Sequence, residues 1–168
     1  MIRGFRSSDK MHFNYHVDWV KEEGKKIPIH RPRIEIVLRK FSERYNAKTN
    51  PEFRTHGLID SGADICFLPR TIANVLKLDL KEEKKKEATG ANGKFWTYRT
   101  KMYLEIMDKG KRIGVDMVKV AVNEKDPKDL NPEEGILLGR QGLFDNYEIT
   151  INEKSRFVKL KRISKSIR

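Results

Sequence analysis

A mostly-β fold of one domain is what this sequence predicts, on three observations. Apolar and β-branched residues gather in many short stretches, several alternating with polar residues as half-buried strands do. Turn-forming pairs, Asn92-Gly93 and Lys109-Gly110, fall between such stretches. Helical spacing occurs in only two places, after Pro69 and from about Arg140 to Asp145, and both are short. A chain of 168 residues closes one genuine core, not two comfortable ones, and no period of about 20 to 50 residues marks a repeat array.

Residues 1–31 are polar and basic with scattered aromatics (Phe13, Tyr15, Trp19) and no clean period, so they read as an N-terminal extension, partly ordered by packing against the domain or a partner. The domain proper is expected over residues 32–162, with a basic tail at 163–168. Its first strand is Ile34 to Lys40, and the turn Asn46 to Pro51 leads to a second, Arg54 to Asp60. Ile65 to Leu68 is a short, wholly apolar run suited to a buried strand. Pro69 can open a helix, and Ile72, Ala73, Leu76 and Leu78 continue it for two to three turns. The Asn92-Gly93 pair then predicts a hairpin, followed by strands at Trp96 to Met107 and Ile113 to Val122. An acidic loop, Asn123 to Glu134, precedes Gly135 to Arg140, and Tyr147 to Ile151 with Arg156 to Leu160 form a closing hairpin.

Hydrophobic residues at 38% and charged residues at 36% describe a highly charged globular protein rather than a disordered or membrane one. No run of about 18 apolar residues is available to span a bilayer. The N-terminus lacks the apolar stretch and cleavage site of a signal peptide, which makes a cytoplasmic location the default expectation. Cys66 is the only cysteine, so no intrachain disulfide or thiolate cluster can form. The net charge of +12 raises the question of nucleic acid. From Glu153 to Arg168 seven Lys/Arg face one acid, a net +6, while elsewhere Lys and Glu are interleaved. Aromatics do not alternate with the basic residues as stacking platforms would, so a solvated surface is favoured over a nucleic-acid site.

The chemistry begins at Leu58-Ile59-Asp60-Ser61-Gly62-Ala63-Asp64. A carboxylate ending an apolar strand sits beside a turn where Gly62 permits unusual backbone angles and Ala63 adds little bulk, so a substrate backbone can come near. The Ser61 hydroxyl and the turn amides can stabilise the charge. Standing alone, Asp-Ser-Gly is more often an Asx-type turn capped by its own side chains. Three other constellations are weaker. His12 and His16 have the spacing of a helical metal pair but sparse acidic company; Cys66 reads as packing; and Ser61 lacks the Gly-x-Ser-x-Gly elbow of a hydrolase nucleophile.

Apolar-apolar-Asp60-Ser61-Gly62-Ala63, a helix, a glycine-containing hairpin and a late Leu137-Leu138-Gly139-Arg140 resemble, in that order, the retropepsin-like aspartic proteases of retroviruses and their cellular relatives. The resemblance covers about Ile34 to Arg162 and implies a closed acid-protease β fold with one or two short helices and one domain per chain. It makes Asp60 the single catalytic carboxylate of each chain, paired with Asp60 of a second chain in a homodimer that binds an extended peptide. Two such carboxylates share a proton, a case for which aspartic proteases are the standard example. The resemblance gives Ser61 and Gly62 a bracing role in the active-site turn, with Arg140 binding Asp64 to hold it. Ala63 and the hairpin Gly90-Ala91-Asn92-Gly93, as a flap, become substrate-binding elements. No metal or cofactor is called for. The basic extension, the long acidic loop and the C-terminal hairpin with its tail look closer to the cellular relatives. The rival reading is a catalytically silent dimeric module of the same fold that binds protein or nucleic acid.

Overall fold

Alternation of buried and exposed residues along extended segments organises the chain. The computed structural model describes residues 10–163 apart from 44, 82, 84, 91, 92, 129 and 130, so most of the basic tail expected at 163–168 lies outside the described residues. The strands are β1 (Lys10–Asn14), β2 (His16–Glu22), β3 (Lys25–Arg31), β4 (Arg33–Lys40), β5 (Glu52–Ile59) and β6 (Cys66–Leu68). After helix α1 (Arg70–Val75) come β7 (Lys85–Gly90), β8 (Gly93–Asp108), β9 (Lys111–Asn123), β10 (Leu137–Leu138), β11 (Tyr147–Asn152) and β12 (Phe157–Arg162). Among the described residues no helix is long and apolar enough to cross a membrane.

Seven strands form one sheet in the order β4-β5-β10-β6-β9-β8-β7, and β4 also pairs with β8. That extra pairing closes six of the strands into a ring, while β7, paired only with β8, remains an edge strand outside it. The long β8 makes both contacts: Met102 to Ile106 pair with β4, while Gly93 to Tyr98 run beyond and carry β7 as a projecting hairpin. Val118, Val120 and Val122 of β9 point inward, flanked by exposed Met117 and Lys119, and meet Ile36, Leu38, Leu68, Leu104 and Leu138 in the core. The β8–β9 turn uses Lys109 and Gly110, both at positive φ, the geometry that matches the twist of the flanking strands.

A second sheet, β1-β12-β11, draws in part of the segment read as an N-terminal extension. Met11 and Phe13 of β1 are buried against the core, paired with Leu160 and Val158 of β12. The β2–β3 ribbon is attached by charge: Asp18 accepts from Arg33 Nε at 3.0 Å and lies 3.4 Å from Arg31 Nε. Arg33 is only 3% exposed, and its guanidinium also donates to the carbonyls of Glu133 and Glu134, so one cation ties the ribbon to the acidic loop. His16 of β2 stacks on His56 of β5 with ring centroids 4.3 Å apart.

Two expectations for helices are corrected. α1 has six residues, fewer than two full turns, because Lys77 adopts φ 53° and its N–H, with that of Leu78, turns back to the carbonyls of Asn74 and Ala73. Pro69 offers no capping side chain. Asp126 of the acidic loop substitutes, accepting from the amides of Arg70 and Thr71 at 2.7 and 2.8 Å and from the Thr71 hydroxyl. The stretch from Arg140 to Asp145 is a series of turns, since Gly142 at φ +129° cannot continue a helix. In the expected flap hairpin Gly90 pairs with Gly93, a register one residue earlier than a turn centred on Asn92-Gly93. Ala91 and Asn92 lie outside the described residues.

The two sheets are joined by a buried polar cluster. Tyr147 donates its hydroxyl to Asp116 Oδ2 at 2.9 Å, and Arg162 donates to Asp116 Oδ1 at 2.6 Å and to the Tyr147 oxygen at 2.8 Å. Burial, reinforced by the Asp116 charge, holds the Tyr147 phenol well above its ordinary range. A Cβ on Gly114 would lie 2.5 Å from the Tyr147 hydroxyl, so glycine there makes the room. Tyr147→Phe is expected to lower stability by about 1–3 kcal/mol in urea denaturation, because a buried charge-assisted bond is lost and only Arg162 remains on Asp116.

Burial first, and then the neighbouring His16, push the His56 imidazole below its ordinary value; Arg33 acts in the same direction, while Glu35 and Glu133 oppose it. The unfolded chain therefore takes up a proton that the folded one resists, and this part of the stability is lost as pH falls from about 6.5 toward the depressed folded value. Thermal melts between about pH 7 and pH 5 should show a weaker dependence of Tm on pH in His56→Gln than in the parent chain.

Candidate functional site

Two strands leave the Asp60 turn and a third is wedged between them. β5 runs into Asp60 and β6 runs out after Ile65, while β10 pairs in parallel with β5 (Leu137 with Leu58, Leu138 with Ile59) and antiparallel with β6 through Phe67. A parallel neighbour needs a long crossover, and everything from Ile65 to Ile136 supplies it. Gly57 opens the space for the wedge: a Cβ there would stand 2.8 Å from Leu138 Cγ.

Backbone hydrogen bonds fasten the turn on both sides of the wedge. The Asp60 N–H donates to Leu138 O at 3.1 Å, the Arg140 N–H to Ala63 O at 2.8 Å and the Gln141 N–H to Asp64 O at 2.9 Å. Gly139 sits at the crossing, where a Cβ would fall 2.4 Å from Ile65 O and 2.8 Å from Ala63 O. No side chain fits that gap without moving backbone.

Within this frame Asp60 is half-buried, and its Oδ1 accepts the Gly62 N–H at 2.8 Å, which points the carboxylate into its own turn. Ser61 and Gly62 are exposed and Ala63 is half-buried. Arg140 Nη2 is ion-paired with Asp64 Oδ1. The two side chains are 61% and 75% exposed, so the pair adds little net stability. The six residues that the sequence singles out, Asp60, Ser61, Gly62, Ala63, Asp64 and Arg140, thus meet in one place although 76 positions separate Asp64 from Arg140.

Gly90 and Gly93 end β7 and begin β8 at the exposed end of the projecting hairpin. Among the described residues they make no hydrogen bond to the Asp60 turn; the hairpin reaches that region through aromatics. Phe95 of β8 meets Phe67 of β6 edge-on, with ring centroids 5.8 Å apart, and Phe67 is itself the partner of Leu137. Sequence reasoning misses both phenylalanines, and Gly57 with them. The signals available for them are a glycine inside a strand and aromatics in or beside the apolar runs.

The histidine spacing that suggests a helical metal pair does not survive, because both residues lie on strands. His12 of β1 faces the Phe157 ring at 4.7 Å and His16 of β2 faces His56. Among the described residues no group of three or more His, Cys, Asp or Glu is placed to hold a metal ion. Cys66 is 4% exposed, and burial pushes its thiol up to about 11, which keeps it protonated and unreactive at neutral pH.

A family model described as "Aspartyl protease" matches residues 46–141, more than half of the chain and all of the interlocked turn. No curated protein matches the sequence. Among solved structures, a retropepsin-like aspartic protease from Rickettsia conorii is similar at 17% identity and a TM-score of 0.52, covering 90% of this chain and 98% of that one. EIAV protease, in complex with an inhibitor, is 21% identical over 72% of this chain and 88% of its own, with a TM-score of 0.38. The first likeness speaks to the fold, which is retropepsin-like: mostly β, one barrel-like sheet, one domain.

Gly139→Ala is expected to cost about 1–3 kcal/mol in urea denaturation, since the methyl group meets carbonyl oxygens rather than a side chain that can yield.

Proposed function

Because the chain belongs to the aspartyl protease family, we propose that it is an endopeptidase whose catalytic carboxylates are two Asp60 side chains, one from each chain of a homodimer. The observation that carries this reading is the half-buried Asp60 on its backbone-fastened turn, in a chain with no second Asp-Thr-Gly or Asp-Ser-Gly. One chain supplies half of a site.

In the dimer the two carboxylates share one proton, because like charges a few ångströms apart do not both ionise. The ionised member accepts a proton from a bound water as the water oxygen attacks the scissile carbonyl carbon. The protonated member donates a hydrogen bond to the developing oxyanion. The tetrahedral intermediate collapses as the dyad delivers a proton to the departing amine. Carboxylates and water carry every step, and no covalent intermediate forms.

The remaining residues act as positioning groups. The Gly62 amide on Asp60 Oδ1 fixes which carboxylate oxygen faces the substrate. Ser61 braces the two turns against each other across the dimer, and the Asp64–Arg140 pair holds the far end of each turn. Ala63 keeps the approach to the backbone open. The β7–β8 hairpin, with Gly90 and Gly93 at its end, closes over an extended peptide and offers backbone hydrogen bonds to it.

Asp60→Asn is expected to lower cleavage of a peptide library by at least about 10³-fold, with the sedimentation coefficient unchanged. Cleavage at the parental rate would end the dyad reading. Mixing gives a sharper test of assembly. When equal amounts of parent and Asp60→Asn chains are allowed to exchange, about a quarter of the dimers keep two aspartates, and activity per total protein should settle at about that fraction of the parent value. A value of half would mean that each chain works alone.

A further inference from the structure

A cleft of about 850 Å³ is lined by Asp64, Ile65 and Gln141 of the interlocked turn, but not by Asp60. Its volume is in the range of about 300–1,000 Å³ typical of ligand sites. The cationic part of its lining is Lys40, Lys86, Arg99, Lys101 and Lys119. Among the described residues none of these five forms an ion pair. The facing acids are partly engaged: Asp64 is paired with Arg140, and Asp79 Oδ1 accepts the Lys81 N–H at 3.1 Å, leaving Glu83.

Like charges are crowded here rather than separated. Lys101 of β8 and Lys119 of β9 are directly opposite each other in the ladder, both exposed, and Arg99 lies two residues along β8 on the same face as Lys101. Directly opposed like charges destabilise a sheet. An anion in the cleft would relieve that repulsion.

The lining also favours one kind of anion. Base stacking needs a free aromatic face. Phe41, the aromatic residue of the cleft, already carries Lys101 Nζ at 5.8 Å from its centroid and the Tyr103 ring at 5.4 Å. Carboxylates on an extended polypeptide need no stacking partner, and the cleft shares the Asp64–Gln141 contact with the turn that carries Asp60.

We propose that this cleft docks an Asp- or Glu-rich stretch of a polypeptide, outside the segment held at Asp60. Naming that polypeptide as the substrate rests on the protease reading; binding of the acidic stretch does not.

The test is fluorescence anisotropy of labelled hexaglutamate with the full chain at low salt. Hexaglutamate should bind, and Lys101→Glu/Lys119→Glu should weaken binding at least about tenfold, with Lys101→Gln/Lys119→Gln giving a smaller loss in the same direction. The same charge change elsewhere, Lys25→Glu/Lys26→Glu on the exposed start of β3, should leave most of the binding in place. Asp60→Asn should bind hexaglutamate like the parent chain, so the proposal stands or falls apart from the protease reading. Absence of hexaglutamate binding, equal loss from the β3 variant, or no loss from either cleft variant would overturn it. Tighter binding of oligothymidylate than of hexaglutamate, lost in the cleft variants, would assign the cleft to nucleic acid instead and would also overturn it.

Discussion

The interlock of the Asp60 turn with Leu138-Gly139-Arg140 is the constraint on which the rest of this structure depends. It is made of backbone. Three main-chain hydrogen bonds cross between the two segments, and Gly139 passes so close to Ile65 and Ala63 that an added methyl group would collide with carbonyl oxygens. Side-chain contacts around it, such as the exposed Asp64–Arg140 pair, would be weak without that frame, because ordering a long, solvated arginine gives back in entropy much of what the pair gains in attraction.

Elements remote in sequence support this frame by satisfying polar groups that the crossover leaves exposed. The acidic loop has two such tasks. Asp126 caps α1, whose own N-terminus has only Pro69, and the carbonyls of Glu133 and Glu134 receive the buried Arg33 guanidinium. Arg33 in turn binds Asp18 of the β2–β3 ribbon. A buried cation is costly unless its donors find partners, and four partners on three segments take four of the five N–H groups of Arg33. The loop before β10 and the start of β4 are thereby tied to β5, which delivers Asp60.

The same logic separates the polar clusters of the fold by task. Arg39, Glu105 and Tyr45 form one network, and Asp116, Tyr147 and Arg162 another, each with its charges matched and its hydroxyl engaged. These lock β4 to β8 and the second sheet to β9. The cations lining the cleft beside Asp64 are different, since the described residues give them no anionic partners while the register sets two of them face to face.

Periodicity and turn chemistry made most of the strands legible in the sequence, because burial on one face of a pleated segment writes itself into every second residue. Val118, Val120 and Val122, the Lys109-Gly110 turn and the closing C-terminal hairpin all follow from local pattern. The extent of α1, the turns around Gly142 and the one-residue shift at Gly90–Gly93 did not, since each is settled by a positive φ or a pairing that local spacing does not encode. The segment before β4 was opaque for a related reason: β1 becomes a strand only by pairing with β12, at the other end of the chain. The candidate site divides in the same way. Residue chemistry by itself singled out Asp60 with its Ser61-Gly62-Ala63 turn, because a carboxylate beside a tight turn appears as residue types, whereas Asp64 and Arg140 were named through the family resemblance. Only the tertiary structure decided that Gly57 and Gly139 must be glycine, that Phe95 reaches Phe67 and that five cations share a cleft with Asp64, because each of these is a distance between segments far apart in the chain.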